Sequence, residues 1–260
     1  MDRMSDIHNA ASYLKTDALK HIVHLKMIEA YAEHMTCRYE RRGAQEGVLL
    51  LIPTPVIPFD AKTYPGSKFV VLLAGSDQET VGRLVRHIPR QASLVFKLVD
   101  DMTKDAVLRA FPCQRMAAFV SYTASEQHFR PHPSVVTSAA LDERVLPCYQ
   151  ANGYTLGELE GFFKHGALSF TIYDGAQPLS TCFTFKNYDK IWEIGGVYTD
   201  PAQRRKGLAR LVVEAALYTV LSRGHVPRYQ VAETNIPSIR LAETSGLTKF
   251  VVAEHYLHHP

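Results

Sequence analysis

The sequence is poor in cysteine and tryptophan, has no long apolar run, and lacks the two most familiar nucleotide-binding loops. Each absence removes a class of function. The four cysteines, Cys37, Cys113, Cys148 and Cys182, stand far apart and form no C-x-x-C pair, so neither a zinc centre nor a disulfide framework is indicated and reduced, buried thiols are expected. No stretch approaches the roughly 20 apolar residues of a membrane-crossing helix. With a polar start, MDRMSDIHNA, the expectation is a cytoplasmic protein with no membrane partner. A formal net charge of +3, with its cations spread widely, gives no reason to expect nucleic acid as a partner. GxxxxGK[ST] and GxGxxG are both missing, which removes the P-loop and the dinucleotide fingerprint. The chain nevertheless has what a globular core needs, with 46% apolar residues over a length that allows one large domain or two smaller ones.

Residues 190–222 carry the densest signal. Ile191, Glu193, Gly195 and Val197 alternate with Trp192, Ile194, Gly196 and Tyr198 up to Asp200-Pro201, which predicts a strand ended by a turn. From Leu208, apolar groups recur at Leu211, Val212, Ala215, Ala216 and Thr219, the spacing of a buried helix face. Between strand and helix stands Gln203-Arg204-Arg205-Lys206-Gly207. The first turn of a helix has unpaired N–H groups and the positive end of the dipole, so a Gly-containing turn with three consecutive cations suits a polyphosphate.

Arg204-x-x-Gly207-x-Ala209 is a form of the R/Q-x-x-G-x-G/A loop, and here the sequence resembles the GNAT N-acetyltransferase superfamily. Gly195-Gly196-Val197-Tyr198-Thr199-Asp200-Pro201 is similar to the FR47-like, glycine N-acyltransferase-like group. Asn235-x-x-Ser238 followed by Gly246-Leu247 is similar to the family's N-x-x-A/S and closing G-F, with Leu247 for Phe. The resemblance implies an α/β (α+β) GNAT fold with a mixed, partly splayed sheet over residues 135–260. It also implies acetyl-CoA as acyl-donor substrate, no metal, and transfer of acetyl to a primary amine of a small molecule or peptide by direct attack in a ternary complex. By the same resemblance Val197, Tyr198 and Thr199 lie along the pantetheine arm, Arg204, Arg205, Lys206, Gly207, Leu208, Ala209 and Arg210 hold the pyrophosphate, and Asn235 and Ser238 touch the arm from the next helix. Glu193, on the strand fourteen positions before Gly207, stands where the superfamily's histone acetyltransferases place their general base; an ordinary solvated strand carboxylate or a structural salt bridge is the alternative use of such a residue. Asn235 has an alternative as a helix N-cap.

The remainder of the chain reads as a framework for this stretch. Residues 5–36 predict one or two helices, with Thr16-Asp17 as a cap of the second and His21 and His24 as helix-surface histidines, whose spacing of three could also serve a metal but for which no third ligand can be named. A strand pair is expected over 38–54, a proline-rich loop through Pro58 and Pro65, then strand, helix, strand, helix and strand up to Tyr122. This predicts an N-terminal α/β domain over 1–128, a degenerate GNAT-like fold by resemblance, which has no R-x-x-G-x-G/A loop and is assigned no cofactor. Polar, turn-rich Ser125–Ser134 is the expected boundary. Beyond it are expected a strand at 135–138, helices over 142–150 and 156–164, and strands 167–174 and 178–186 joined by Asp174-Gly175. After the phosphate helix come the strand 229–233, the helix 237–245 and the strand 249–255.

One departure stands out: the position four after Ser238, often a Tyr in the family, is Ala242. Ser238, Tyr256 and His225 remain as candidate proton donors to the departing thiolate. Two other functions stay open, a CoA-binding protein without turnover and an acyltransferase using a longer acyl-CoA with an amino-acid acceptor. A homodimer is compatible with the sequence.

Overall fold

Apolar residues at helical spacing open the chain as α1 (Arg3–Leu14) and α2 (Ile22–Tyr31), joined through a 3-10 turn at Lys15–Asp17. Next come the hairpin β1 (Thr36–Arg42) and β2 (Gln45–Pro53), then α3 (Pro58–Thr63), β3 (Phe69–Gly75), α4 (Gln78–Val85), β4 (Leu94–Leu98), α5 (Asp101–Ala110) and β5 (Gln114–Thr123). The second half runs β6 (Val136–Ser138), α6 (Leu146–Gln150), α7 (Leu156–Lys164), β7 (Leu168–Asp174), β8 (Gln177–Tyr188) and β9 (Ile191–Thr199). It closes with α8 (Leu208–Ser222), β10 (Val226–Ala232), α9 (Ile236–Thr244) and β11 (Thr248–His258). The computed structural model describes residues 3–125 and 129–260. The fold is mixed α/β, as the sequence predicts.

By its contacts the chain divides into two units, Met1–Phe119 with Val251–Pro260, and Val120–Phe250. In the first, the strand order is β1-β2-β3-β4-β11. β1, β2 and β3 are antiparallel neighbours, β3 and β4 run parallel, and β11 returns antiparallel to β4 from Glu254↔Leu98 to His258↔Leu94. The last strand therefore completes this unit, pairing an edge of β4 whose backbone groups would otherwise lack a ladder partner. Apolar faces of α4 and α5, including Val81, Leu84 and Val107, pack on Leu49, Val71, Leu73 and Phe96.

Two local expectations differ here. Pro58–Thr63 is a helix rather than part of a loop, because Pro58 takes the first helical position, where a missing N–H costs nothing. His21 and His24 are buried rather than on a helix surface, at 6% and 0% exposure, with their rings edge-on at 5.2 Å. They are core residues.

In the second unit the order is β5-β10-β9-β8-β7-β6. β7 and β8 form the hairpin expected at Asp174-Gly175, closing at Asp174↔Gln177. β8 and β9 are antiparallel, and β9 and β10, joined through α8, are parallel. The inner face of α8, including Val212, Ala216 and Val220, is buried. Tyr149, Phe183, Phe162 and Phe185 pack with Leu159 and Val145 as an aromatic core beside β9. Polar Ser125–Ser134 falls within this unit, and its residues 126–128 lie outside the described residues. Among the described residues no helix is long and apolar enough to cross a membrane. Cys37, Cys148 and Cys182 are buried free thiols, and Cys113 is a half-buried one.

Candidate active site

The parallel ladder between β9 and β10 has three rungs, Val226↔Ile191, Pro227↔Trp192 and Arg228↔Glu193, and then ends. Past the last rung the strands part. Gly195–Val197 on one arm and Gln230–Ala232 on the other line a wedge of about 190 Å³, together with Tyr154 and Tyr229. The glycines are demanded by packing. A Cβ on Gly196, whose φ is +61°, would lie 2.5 Å from the Phe183 ring, and one on Gly195 would lie 2.6 Å from the Tyr154 hydroxyl. The β8–β9 register also shifts between Thr181 and Phe183, a bulge that accompanies the bend.

The wedge shares Asn152, Val197, Asn235 and Ser238 with a larger cleft of about 670 Å³. That cleft brings together Val197, Tyr198 and Thr199 from β9, Arg204, Arg205 and Gly207 from the turn, Leu208, Ala209 and Arg210 from α8, and Asn235 and Ser238 at the start of α9. Of the residues singled out in the sequence for this purpose, Lys206 is the one that does not line it; its Nζ donates to Gln203 Oε1 at 2.7 Å. The turn is shaped by Asp200, whose carboxylate accepts from the Ala202 N–H at 2.8 Å, and by left-handed backbone at Arg205 and Gly207, with φ of 63° and 80°. Gly207 caps α8 with no side-chain hydrogen bond, so the helix end faces the cleft with cations beside it and no carboxylate over its N–H groups. Asn235 caps α9 through the Ser238 N–H at 3.3 Å while lining both cavities, so a cap and a cleft position coincide.

Residues 148–251 match the GNAT acetyltransferase family model. Among solved structures the chain is similar to an acetyltransferase of the GNAT family from Colwellia psychrerythraea, at 10% identity and TM-score 0.63, covering 100% of this chain and 98% of that one. It is likewise similar to a Drosophila protein at 14% identity and TM-score 0.60, covering 100% and 97%, and to a GCN5-related N-acetyltransferase from Kribbella flavida at 14% and 0.56, covering 89% and 92%. At such identities the likeness is one of fold. No curated protein matches in sequence. The matched segment contains the fork, the turn and α9, and it supports acyl transfer as the general activity.

The structure adds residues that sequence reasoning missed. Asn152 donates to the Val197 carbonyl at 3.3 Å from a loop 45 positions away. Arg240, one turn into α9, brings another cation to the cleft. Tyr154 and Tyr229 both present phenols to the wedge. Burial pushes each phenol up to about 12, reinforced for Tyr154 by the Glu193 charge and opposed for Tyr229 by a hydrogen bond from Ser238. No motif marks any of the four.

Of the candidate proton donors, Ser238 lines both cavities. Tyr256 packs in the core of the first unit, and His225 stacks on Trp192 at 5.1 Å. Ala242 is fully buried, so its position faces the core rather than the cleft. Glu193, expected as a base, lies at the last rung with 7% exposure and does not line the wedge. Among the described residues no cluster of three or more His, Cys, Asp or Glu is placed to hold a metal.

Proposed function

We propose that the protein is an N-acetyltransferase that uses acetyl-CoA as acyl donor and a primary amine of a small molecule or peptide as acceptor, the amine attacking directly within a ternary complex. The observation that carries this reading is the continuity of the cleft, which begins at the cation-flanked end of α8 and runs into the wedge between β9 and β10. The first-turn N–H groups of α8 and the Arg204 and Arg205 side chains hold the pyrophosphate. Val197, Tyr198 and Thr199 run beside the pantetheine arm, Asn235 and Ser238 face it from α9, and the Val197 N–H is the donor for the thioester oxygen. Acetyl-CoA supplies an activated acetyl thioester; the chain supplies alignment and a wedge lined by uncharged residues.

A wedge of about 190 Å³ with Tyr154 in its wall accommodates an acetyl group. The alternative of CoA binding without turnover draws support from the burial of Ala242 and from the occupied carboxylate of Glu193. One experiment separates them: CoA binding by calorimetry, paired with thiol release from acetyl-CoA across a panel of amines. One CoA per chain with amine-dependent release is expected. Binding without release from any amine would favour the silent binder, and absence of binding would end both readings.

A further inference from the structure

We infer that Glu193 is a positioning residue: with Arg228 it forms a buried clasp at the last rung of the β9–β10 ladder, which fixes where the two strands part and so the width of the fork. This inference rests on the proposed reading of the cleft as a CoA site. Both oxygens of Glu193 are engaged. Oε2 accepts from Arg228 Nη1 at 2.6 Å and from Asn187 Nδ2 at 2.6 Å, and Oε1 accepts from the backbone N–H of Gln230 at 3.0 Å. The side chains are 10% and 5% exposed for Glu193 and Arg228.

The bond to Gln230 explains why the ladder can stop. Gln230 lies two residues past the last rung, and its half-buried N–H needs an acceptor. The carboxylate supplies it, leaving β10 free to diverge from Gly195 onward. Arg228 Nη2 also donates to the Ser121 hydroxyl at 3.1 Å, which ties the clasp to β5. A carboxylate holding these three donors and standing outside the wedge is committed to joining the strands rather than presented to an incoming ammonium.

A second observation comes from another parallel ladder, that of β3 and β4. β3 and β4 pair from Phe69↔Leu94 to Leu72↔Lys97 and then stop. Lys97, the last-rung residue of β4 as Arg228 is of β10, is paired with Asp60 at 2.7 Å, with side-chain exposures of 7% and 0%. There the next turn holds no run of cations. A buried cation paired to an acid at the last rung thus accompanies the end of a parallel ladder whether or not a phosphate turn follows. With Glu193 occupied, the acceptor amine loses its proton to solvent or to another group, and turnover follows the fraction of free amine.

The test uses the full chain in four forms: wild type, Glu193→Gln, Glu193→Gln with Arg228→Gln, and, for hydrogen exchange, Glu193→Ala. Folding is checked by circular dichroism. Because Glu193→Gln leaves the Arg228 charge buried and unpaired, CoA affinity is expected to fall at least about tenfold, and the paired variant, with neither charge, to regain most of it. The paired variant keeps kcat within about tenfold of wild type with the same pH profile, whereas loss of a general base costs roughly a hundredfold to ten-thousandfold. If Glu193→Gln does not fold, the paired variant alone decides by that criterion. Unchanged CoA affinity in Glu193→Gln, with a kcat loss that shrinks at high pH and persists in the paired variant, would overturn the clasp and make Glu193 the base. Should wild type bind no CoA, the functional reading fails by itself. The clasp is then read from the Gln230 amide, expected to exchange at least about tenfold faster in Glu193→Ala; equal exchange overturns it.

Discussion

The turn from β3 into α4 and the turn from β9 into α8 join the same kinds of element and finish with opposite chemistry. In the first, Asp77 caps the helix: its carboxylate accepts from the Thr80 N–H at 3.0 Å and the Thr80 hydroxyl at 2.8 Å, and these bonds, the backbone one first, hold its carboxyl below the usual range. Glu79 adds a second negative charge in the first turn. In the second, Gly207 caps the helix without a side-chain bond, and Arg204, Arg205 and Lys206 precede it. A strand running into a helix is therefore insufficient for a phosphate site. The helix end must be left open, and the residue at the cap decides whether it is.

The sharpest way to separate the two units is acid. Burial pushes His24 and His255 down to about 3 and His21 to about 4, with the His21 charge next in effect on His24, Lys97 on His255 and Lys20 on His21. All three lie in the first unit. Below about pH 6.5 the unfolded chain takes up these protons while the folded chain refuses them until pH 3 to 4, so the stability is complete above 6.5 and is lost as pH falls through that window. At pH 5 each histidine accounts for a loss of about 2 kcal/mol. His225 in the second unit is lowered too, by burial first, but at a half-buried position. Hydrogen exchange at pH 7 and pH 5 should show α2, β3 and β4 losing protection before α8 and β8; the reverse order would contradict the assignment.

The next effect in size concerns the open cap. Gly207→Glu forces a side chain into left-handed backbone, at roughly 1–2 kcal/mol, and brings a negative charge of comparable effect to the helix end. Nothing lies within 4 Å of a Cβ at that position, so the chain should fold and the loss should appear in binding. CoA affinity is expected to fall about a hundredfold by calorimetry; an unchanged value in the folded variant would remove the phosphate site from this turn.

The smallest effect tests the closed cap. Asp77→Ala loses the bonds to Thr80 and should lower Tm slightly, while CoA affinity and a stoichiometry of one CoA per chain remain as in wild type. A change in CoA affinity on that substitution would mean that the α4 end takes part in binding and that the contrast between the two turns has been overdrawn.

The contrast was legible in advance where its causes are local. Alternation over 191–198 and the spacing from Leu208 predict β9 and α8 to within a residue or two, and the run of cations before Gly207 is visible without any fold. The hairpin at Asp174-Gly175 is equally local. Pro58 misled because a proline that breaks a helix interior also starts one. The polarity of His21 and His24 predicts exposure, whereas in the structure His24 Nε2 lies 3.3 Å from the Leu73 carbonyl, a partner 49 residues away.

What the sequence determined by itself was the strand, the open cap and the cations of residues 191–210, since propensity, periodicity and capping act over a few neighbouring residues. Tertiary structure alone decided that β11 pairs with β4, that Asn152 and Arg240 reach the cleft and Tyr154 the wedge, and that Glu193 meets Arg228 across 35 positions. A glutamate on a strand can be solvated, catalytic or paired with equal ease. Only the long-range placement of donors around its two oxygens removes that freedom.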